Sequence, residues 1–511
     1  MSGQIFTHAD LTADVERRCD VCIVGSGAGG AVLAAELASQ GLDVVMLEEG
    51  SRVTRRDFTL QEGDAVPAMY QERGTRASAD LAITVLQGRS VGGSTTINWT
   101  TCFRTPARIL DHWRRAHGLE GLDEAELAPH FEAVEERLHI APWPEELANG
   151  NNQVLLRGCR ALGWDVAPLR RNVRGCANSG YCGLGCPVDG KQAMGITYVA
   201  DAVAAGLTLY ANVRAERLEI EGGRVVAVTG RVMSPLAGAP DGPRVRIVPR
   251  VAVSAGGALN GPALLLRSGL GGRVGRRTFL HPVVAVVGEL PEPVHPYYGA
   301  PQSVGSHHHI DRGPERYGFF LEAAPLQPML ASVAFNRSGA ALHDLMARLP
   351  HVTGLIALSV DGLLPGDEGG TVTLRPDGRM RLDYPISERL KESFRAATEA
   401  LARVCLAGGA REVMSLHVDN VRLTTDADLP RLASAPYGAH EHAIFTAHQM
   451  GGCAMSARRE DGVVDPTHRC WDVPNLFVVD GSVLPTALGV NPSETVYALA
   501  RRAARFVGEA V

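Results

Sequence analysis

A glycine-rich turn sets the strongest constraint on the fold of this chain. In the segment 20–48, the β-branched run VCIV predicts a buried strand, and an alanine-rich helix and a second buried strand follow it. The turn between the first strand and the helix, GSGAGG, places Gly25, Gly27 and Gly30 at the G-x-G-x-x-G spacing. The first glycine allows a sharp turn, the second lets the backbone approach a pyrophosphate, and the third lets the helix pack closely on the strand. The pattern predicts a dinucleotide site, with Glu48 at the end of the second strand as an acceptor for a ribose diol.

A second glycine cluster strengthens the prediction of a ligand-binding loop. Gly88, Gly92 and Gly93 lie in QGRSVGGSTTIN, directly after a strand-like segment. Such a loop can lay backbone N–H groups against a phosphate or a planar ring, although taken alone it is only a turn-rich connection. Glycine is abundant along the whole chain. It makes up 57 of the 511 residues, or about 11%, against a usual level of about 7%.

The order of the remaining elements predicts two structural units. Strand-like segments up to 253 lead into SAGGALNGPALLLRSGL, which returns to the nucleotide-binding sheet. From 291 to 443, alternating strands and a helix are typical of an antiparallel sheet with helices on one face. We therefore predict an α/β fold in which a Rossmann-like domain carries an inserted α+β substrate domain. The predicted nucleotide-binding domain covers 15–110, 190–290 and 444–511, and the predicted substrate or cap domain covers 111–189 and 291–443.

Charge and composition exclude several classes of protein. The 50 Lys and Arg against 56 Asp and Glu give a net charge of −6, so we expect no nucleic-acid partner. The N-terminus mixes charges of both signs and lacks the pattern of a secretion signal. Polar residues interrupt the longest weakly polar stretch, so we expect no transmembrane span. Ten cysteines are too sparse for a disulfide scaffold, which favours a reducing, cytoplasmic location.

With these motifs placed, the chain resembles the glucose–methanol–choline oxidoreductases, FAD enzymes that oxidise alcohols. The resemblance runs from residue 20 to the C-terminus, and only the insert at 291–443 is poorly matched. In the second family signature, Gly261 replaces the usual serine or threonine before Pro262. The motifs look most like those of cholesterol oxidases and long-chain fatty-alcohol oxidases. They read DVCIVGSGAGGAVLAAELASQGLDVVMLEEG, GRSVGGSTTIN, GGALNGPALLLRSGLG, HQMGGCAM and NLFVVDGSVLPTALGVNPSETVYALA.

The resemblance implies FAD as the cofactor. In the choline-oxidase branch, a histidine two residues before the position of Trp99 bonds covalently to the flavin, and here Ile97 stands at that place. We therefore expect FAD to be held without a covalent bond. The residues that the resemblance and the glycine motifs assign to the cofactor are Gly25, Gly27, Ala28, Gly30, Glu48, Gly88, Gly92, Gly93, Asn98, Val213, Asp480, Gly481, Asn491 and Pro492.

The resemblance also implies the catalytic pair. The oxidation of an alcohol needs an acceptor for the hydride, a base for the hydroxyl proton and a donor to the developing alkoxide. The family's pair maps onto His448, as the base, and Asn491, as the donor. Imidazole suits the base because its pKa lies near neutrality. We expect a primary or secondary alcohol, apolar or cyclic, and oxygen or another electron acceptor. His442, outside any motif, is assigned no role.

Three cysteines form a separate motif. Cys176, Cys182 and Cys186 have the pattern C-x5-C-x3-C-P, and three nearby thiolates are a candidate iron–sulfur ligand set. The spacing resembles the 3Fe–4S site of flavin-dependent glucose and gluconate dehydrogenases. Relatives of the cholesterol-oxidase type carry similar cysteines with no assumed cluster, and small buried cysteines also pack well. Both interpretations stay open at this point.

Two alternatives to alcohol oxidation follow from the same sequence. The fold also hosts flavin-dependent lyases and photoenzymes, which carry out no net alcohol oxidation. A non-catalytic nucleotide-binding module is the second alternative, and the His448 and Asn491 pair argues against it.

Overall fold

The computed structural model describes residues 3–235 and 240–511. Within these ranges the helices are, in chain order, α1 (Ala28–Ser39), α2 (Glu62–Met69), α3 (Ala107–His117), α4 (Glu124–Leu138), α5 (Gly150–Ala161), α6 (Tyr198–Ala204), α7 (Gly257–Arg267), α8 (Pro328–Ala334), α9 (Gly339–Ala347), α10 (Glu388–Ala407), α11 (Pro430–Ala433) and α12 (Ser493–Glu509).

The strands of the same ranges belong mainly to two large sheets. In chain order they are β1 (Gln4–Phe6), β2 (Val15–Val24), β3 (Val44–Glu48), β4 (Thr84–Val85), β5 (Thr101–Cys102), β6 (Ile140–Pro142), β7 (Ala167–Pro168), β8 (Arg170–Asn172), β9 (Thr208–Ala211), β10 (Val213–Glu221), β11 (Arg224–Val232), β12 (Arg244–Ser254), β13 (Thr278–Phe279), β14 (Val283–Glu289), β15 (Val304–Ser306), β16 (Phe319–Ala323), β17 (Val352–Ser359), β18 (Thr371–Leu374), β19 (Met380–Asp383), β20 (Glu412–Ser415), β21 (Arg422–Leu423), β22 (Phe445–Thr446), β23 (Met450–Gly451) and β24 (Leu476–Val478).

The first sheet is mainly parallel. Its order is β1-β9-β3-β2-β12-β11-β10, and β24 pairs with β12. The strands β1, β9, β3, β2, β12 and β24 pair in parallel, whereas β10 and β11 form an antiparallel extension. Every residue of β3 is buried, as expected for a parallel strand covered on both faces. The helices α1 and α12 pack against each other beside this sheet. The predicted Rossmann-like α/β fold is confirmed.

The second sheet is mainly antiparallel. Its order is β21-β20-β14-β17-β16-β15-β7, and β22 pairs with both β14 and β4. The strand β14 lies in this sheet, although its residues fall within the predicted nucleotide-binding segment 190–290. The strands β18 and β19, predicted in the antiparallel unit, pair only with each other in the described part of the chain. The exact domain boundaries stay a prediction.

The helix α10 covers the second sheet because of its apolar spacing. It begins after Ser387, whose side chain accepts a hydrogen bond from the backbone of Leu390 and caps the helix. Leu390, Phe394, Ala397 and Leu401 recur every three or four residues and are buried. This face packs against β14 and β17. The packing fixes the position of β14. Residues next to this strand in the chain belong to the site described below.

No helix in residues 3–235 and 240–511 combines the length and the apolar character that a membrane crossing requires.

Candidate active site

A cavity of about 620 Å³ is lined by residues that belong to both sheets. The turn after β2 contributes to one wall, and Ile356 and Leu358 of β17 contribute to another. Gly30 and Gly92 do not line it. The other residues that the sequence assigns to the cofactor or to catalysis do line it, namely Gly25, Gly27, Ala28, Glu48, Gly88, Gly93, Asn98, Val213, His448, Asp480, Gly481, Asn491 and Pro492.

The glycine-rich turn opens the start of α1 toward this cavity. Gly25 has a φ of 106°, and a Cβ atom there would lie 2.3 Å from the carbonyl oxygen of Ala255. A Cβ atom on Gly30 would lie 2.0 Å from the carbonyl oxygen of Gly25, so this glycine lets α1 pack on the turn. The backbone N–H of Ala31 donates to Gly27 over 3.0 Å, and the N–H groups before it have no acceptor within the helix. This helix start can bind an anion.

Glu48 is bound to the same turn. One carboxylate oxygen accepts hydrogen bonds from the backbone N–H of Ser26 over 3.0 Å and from its hydroxyl over 2.6 Å. The other oxygen accepts from the backbone N–H of Gly50 over 2.7 Å. Burial raises the pKa of Glu48, and these hydrogen bonds oppose that shift. Glu48 therefore holds the turn and still lines the cavity with two oxygens that have further lone pairs.

The two glycine loops touch each other. Gly93 has a φ of 55°, and a Cβ atom there would lie 2.8 Å from the Cα atom of Gly27. The backbone N–H of Gly92 donates to the hydroxyl of Ser26 over 3.0 Å. Farther along this loop, the side-chain oxygen of Asn98 is buried without a hydrogen-bond partner. A buried acceptor without a donor indicates a place for a ligand group.

Asp480 joins the C-terminal motif to the start of α7. Its carboxylate accepts hydrogen bonds from the backbone N–H of Gly257 over 2.7 Å and of Ser482 over 2.8 Å. Burial raises the pKa of Asp480, and the hydrogen bonds from Ser482 and Gly257 oppose that shift. This contact places Gly481 in the wall of the cavity, beside the turn after β2.

His448 lies in a chain of hydrogen bonds at the junction of the two sheets. Its Nδ1 is 3.1 Å from Nδ1 of His281, and its Nε2 is 3.3 Å from Nδ2 of Asn491. The Nε2 of His281 accepts a hydrogen bond from the backbone N–H of Gly489 over 3.1 Å. The pairing of β22 with β14 brings His448 and His281 together, since His281 immediately precedes β14 and His448 closely follows β22. The geometry therefore unites His448 and Asn491, the pair that the sequence implies.

The hydrogen-bond chain determines where the imidazole protons lie. Burial lowers the pKa of His448 to about 4 and that of His281 well below 6.5, so both rings are neutral at pH 7. Because Gly489 donates to Nε2 of His281, the neutral ring carries its proton on Nδ1 and donates it to His448. Neutral His448 then carries its proton on Nε2, which faces Asn491. The side-chain oxygen of Asn491 is buried without a hydrogen-bond partner.

A buried carboxyl group lies next to this pair. Glu322 of β16 is 1% exposed, and one of its oxygens accepts a hydrogen bond from the side chain of Gln302 over 2.6 Å. Its other oxygen is buried without a hydrogen-bond partner. Burial raises the pKa of Glu322 to about 8, although hydrogen bonds from Asn491 and Gln302 oppose the shift. Glu322 is thus a buried carboxyl group beside Asn491, with a pKa of about 8.

One part of the cavity wall is apolar. Val283, Ile356 and Leu358 of the second sheet line the cavity together with Phe445 and Trp99. Apolar side chains of this kind can hold the body of a bound molecule, while polar groups such as those of His448 and Asn491 orient it. His442, which was assigned no role, lies elsewhere and packs with Phe394 and other aromatic rings at a distance of 5.3 Å.

The iron–sulfur interpretation of the cysteine motif finds no support in the structure. In the described ranges, no group of three or more His, Cys, Asp or Glu side chains is placed to hold a metal ion. Cys176, Cys182 and Cys186 are near one another in sequence, but their contacts differ. The thiol of Cys176 approaches the side chain of Asn178, whereas Cys182 approaches the guanidinium of Arg171. Short spacing along the chain does not by itself arrange three thiolates as ligands of one cluster.

Comparison with known proteins decides the family. The model described as GMC oxidoreductase matches in two parts, at residues 66–283 and 365–500. The chain belongs to the GMC oxidoreductase family. It is therefore an FAD-dependent oxidoreductase that acts on CH–OH donors. A model of Rossmann-like NAD(P)-binding domains also matches, at residues 23–70.

Two relatives cover most of the chain. An uncharacterized GMC-type oxidoreductase of Mycobacterium tuberculosis, Rv0492c, is 34% identical over 493 residues, which are 94% of this chain and 75% of that protein. The long-chain-alcohol oxidase FAO4A of Arabidopsis thaliana is 33% identical over 506 residues, which are 94% of this chain and 67% of that protein.

Solved structures share the fold. A pyridoxine 4-oxidase from Mesorbium loti superposes with a TM-score of 0.71 at 22% identity, over 96% of this chain and 99% of that one. A formate oxidase superposes with the same TM-score of 0.71 at 16% identity, over 97% of this chain and 99% of that one. At these identities the likeness shows the fold alone.

The residues present fit a flavin dinucleotide. The free N–H groups at the start of α1 suit the pyrophosphate, and a Cβ atom on Gly27 would meet only Gly93 within 4 Å, at 3.9 Å, so nothing fills the space beside this turn. The unpartnered oxygen of Asn98 suits an N–H group of a ring system. The two features lie in the wall of the same cavity.

Sequence reasoning missed two residues of the site. His281 follows β13 in the segment TFLHP, where a buried histidine before a proline was a visible but unspecific signal. Glu322 lies in the buried strand FFLEA, and a carboxyl group in a fully buried strand is rare enough to have been noticed.

Proposed function

We propose that the protein oxidises a primary or secondary alcohol to an aldehyde or a ketone, with His448 and Asn491 at the reacting oxygen. The observation that carries the proposal is the 3.3 Å contact of these two side chains in the wall of the cavity that the glycine-rich turn opens on. Bound FAD supplies the hydride acceptor, its N5 atom. Oxygen or another electron acceptor takes up the two electrons afterwards.

The chain's own residues hold the alcohol oxygen and stabilise its developing charge. A hydrogen-bond donor on His448 or Asn491 can point at this oxygen. Its hydrogen bond to the developing charge is stronger in a site from which water is excluded. Both side chains are held in place, His448 through His281 and Asn491 at the start of α12. Loss of such an oriented donor typically costs about 10²–10³ in rate.

The hydroxyl proton has two candidate acceptors. The resemblance to the family makes His448 the base, and we retain this assignment as the first proposal. It requires an Nε2 atom without a proton, whereas the hydrogen bond from Gly489 to His281 favours the tautomer that carries one there. Glu322 is the second candidate: Gln302, which donates to one of its oxygens, lines the cavity, and the unpartnered other oxygen and the pKa of about 8 suit a general base.

The substrate we propose has an apolar body, long-chain or cyclic. The apolar wall formed by Val283, Ile356, Leu358, Phe445 and Trp99 supports this proposal. The long-chain-alcohol oxidases of Arabidopsis thaliana among the relatives support it as well.

We also propose that FAD is held without a covalent bond, since Ile97 lines the cavity where the choline-oxidase branch has the linking histidine. An isoleucine side chain offers no nucleophile for such a bond. The cytoplasmic location stays a prediction from the composition.

Anaerobic titration of the purified holoprotein tests the reaction class. A panel of long-chain primary alcohols and of cyclic secondary alcohols is added, and the flavin absorbance is recorded in the dark. We expect at least one alcohol to bleach the flavin, with one equivalent of carbonyl product per flavin. Conversion of a substrate without bleaching would favour a lyase, and conversion only under illumination would favour a photoenzyme. Bound flavin with no conversion at all would favour a non-catalytic module.

The Glu322→Gln variant separates the two proton acceptors. If Glu322 is the base, the wild-type rate of flavin reduction rises with pH through about 8, and the variant loses both this rise and most of the rate. If His448 is the base, the variant reduces its flavin within a few-fold of the wild-type rate.

A further inference from the structure

The three cysteines of the C-x5-C-x3-C-P motif are distinguished by their exposure. Cys176, Cys182 and Cys186 are partly exposed, whereas the other seven cysteines of the chain are buried. The three line one small cavity together with Lys191. They are therefore the cysteine residues that lie nearest to solvent.

Two buried cations lie beside these thiols without a carboxylate. Arg171 is 0% exposed, its guanidinium lies over the ring of Trp143, and its Nη2 atom is 3.8 Å from the sulfur of Cys182. The Nε and Nη1 atoms of Arg171 have no hydrogen-bond partner. Lys191 is 3% exposed, and its ammonium group is bound by main-chain carbonyl oxygens, one of them that of Cys182 at 2.7 Å. Across the described ranges, neither cation pairs with Asp or Glu within 4.0 Å, so a thiolate is the anion available to them.

The contacts of Lys191 select one pair among the three thiols. Its backbone N–H donates to the sulfur of Cys186 over 3.4 Å, and its ammonium group donates to the main chain of Cys182. Between these two cysteines the chain turns back on itself, since Gly183 and Gly185 pair with each other. Cys176 instead approaches the side chain of Asn178, at 3.9 Å. Cys182 and Cys186 are thus the two cysteines that contact Lys191, Cys182 through its carbonyl oxygen and Cys186 through its sulfur.

We propose that Cys182 and Cys186 are a redox-active pair that forms a reversible disulfide bond when it meets hydrogen peroxide. The thiolate of Cys182 attacks one peroxide oxygen, the O–O bond breaks, and the sulfur becomes a sulfenic acid while the other oxygen leaves as water after protonation. The thiol of Cys186 then attacks this sulfur, the S–O bond breaks, and a second water leaves. In sum, two thiols and one hydrogen peroxide give one disulfide and two waters. A dithiol reductant reverses the reaction.

We assign the attack to Cys182 because the guanidinium of Arg171 lies 3.8 Å from its sulfur. Positive charge beside a thiol favours the thiolate, which is the nucleophile. Burial raises the pKa of Cys182, and the two cations oppose that shift. We therefore expect the reaction to be faster at pH 9 than at pH 7.

The pair is coupled to the flavin cavity through the main chain. The hydroxyl of Tyr70 donates to the carbonyl oxygen of Gly183 over 2.8 Å, and Lys191 donates to the carbonyl oxygen of Asn98 over 3.1 Å. Tyr70 and Asn98 line the cavity. A disulfide that reshapes the loop at Gly183 therefore changes the flavin environment, which flavin fluorescence reports without any alcohol present.

The experiment counts thiols in one peptide. Trypsin cleavage after Arg174 and Lys191 releases a single peptide that carries all three cysteines. The folded holoprotein is treated with hydrogen peroxide, the remaining thiols are alkylated after unfolding, and the peptide is analysed by mass spectrometry. We expect the peptide to take up two alkyl groups fewer than in the untreated protein, and treatment with a dithiol to restore them. Full alkylation after the peroxide treatment would overturn the proposal.

Serine variants identify the pair. C186S is expected to lose the disulfide and the change in flavin fluorescence, whereas C176S, the matched control, keeps both. C182S should in addition react with peroxide at least tenfold more slowly. Loss of the disulfide in C176S with retention in C186S would contradict the pairing. Flavin content is measured for each variant to confirm folding, and because no alcohol is added, failure here leaves the proposed alcohol oxidation untouched.

Discussion

The buried carboxyl group of Glu322 makes a quantitative prediction about stability. Burial raises its pKa from 4.5 to about 8 in the folded protein. The folded state therefore holds this proton more tightly than the unfolded state does, so the stability of the protein falls as the pH rises from about 4.5 to about 8 and then levels off. At about 1.4 kcal/mol per pH unit, this interval corresponds to about 5 kcal/mol as an upper limit.

The substitution Glu322→Gln removes that titration and keeps the shape of the side chain. Urea unfolding with excess FAD is measured at pH 5 and at pH 9 for the wild type and the variant. We expect the wild type to lose several kcal/mol more than the variant between the two pH values, since all other titrating groups are common to both. Glu368, which is exposed, supplies the control variant Glu368→Gln. If wild type and Glu322→Gln lose the same free energy of unfolding, the assignment of Glu322 as a buried, destabilised carboxylate is refuted.

Three further predictions follow from the site. Acid precipitation should release the flavin into the supernatant, and yellow colour that stays in the pellet would contradict a non-covalent cofactor. Gly29→Ala should lower the free energy of unfolding by about 1–3 kcal/mol, because its Cβ atom would lie 1.9 Å from the carbonyl oxygen of Val479. Urea unfolding checks this against Gly63→Ala, whose Cβ atom meets nothing within 4 Å. Asn491→Ala should slow flavin reduction by about 10²–10³ in stopped-flow assays, and a rate within a few-fold of wild type would exclude its role as a donor.

The fold was predictable where local pattern and tertiary packing agree. The strand, turn and helix around Gly25 need only a buried apolar run and glycines at fixed spacing, and the structure has them at 15–39. The strand β14 was harder to place, because the apolar run VVAVVGE suits a buried strand of either sheet. Its partner β17 lies more than 60 residues later, and pairing over such a distance leaves no local signal.

The site was predictable only where a motif carries it. His448 and Asn491 lie in long motifs, and their side chains are in contact in the structure. His281 and Glu322 lie in short apolar segments whose roles depend on what the folded chain places opposite them. The cysteine motif shows the opposite case, because a short spacing suggested a metal site and no group of side chains in the described ranges is arranged to hold a metal ion.

Stopped-flow reduction of the flavin by a saturating alcohol tests the central claim most directly. The alcohol is one that bleaches the wild-type flavin under anaerobic conditions, and the rates of the wild type, His448→Ala and His442→Phe are compared at equal flavin content. His442 is the matched control, because it is a buried histidine that does not line the cavity. We predict that His448→Ala is slower by about 10²–10⁴, whereas His442→Phe stays within a few-fold of the wild type. A His448→Ala rate within a few-fold of the wild type would contradict the claim that His448 acts on the reacting oxygen.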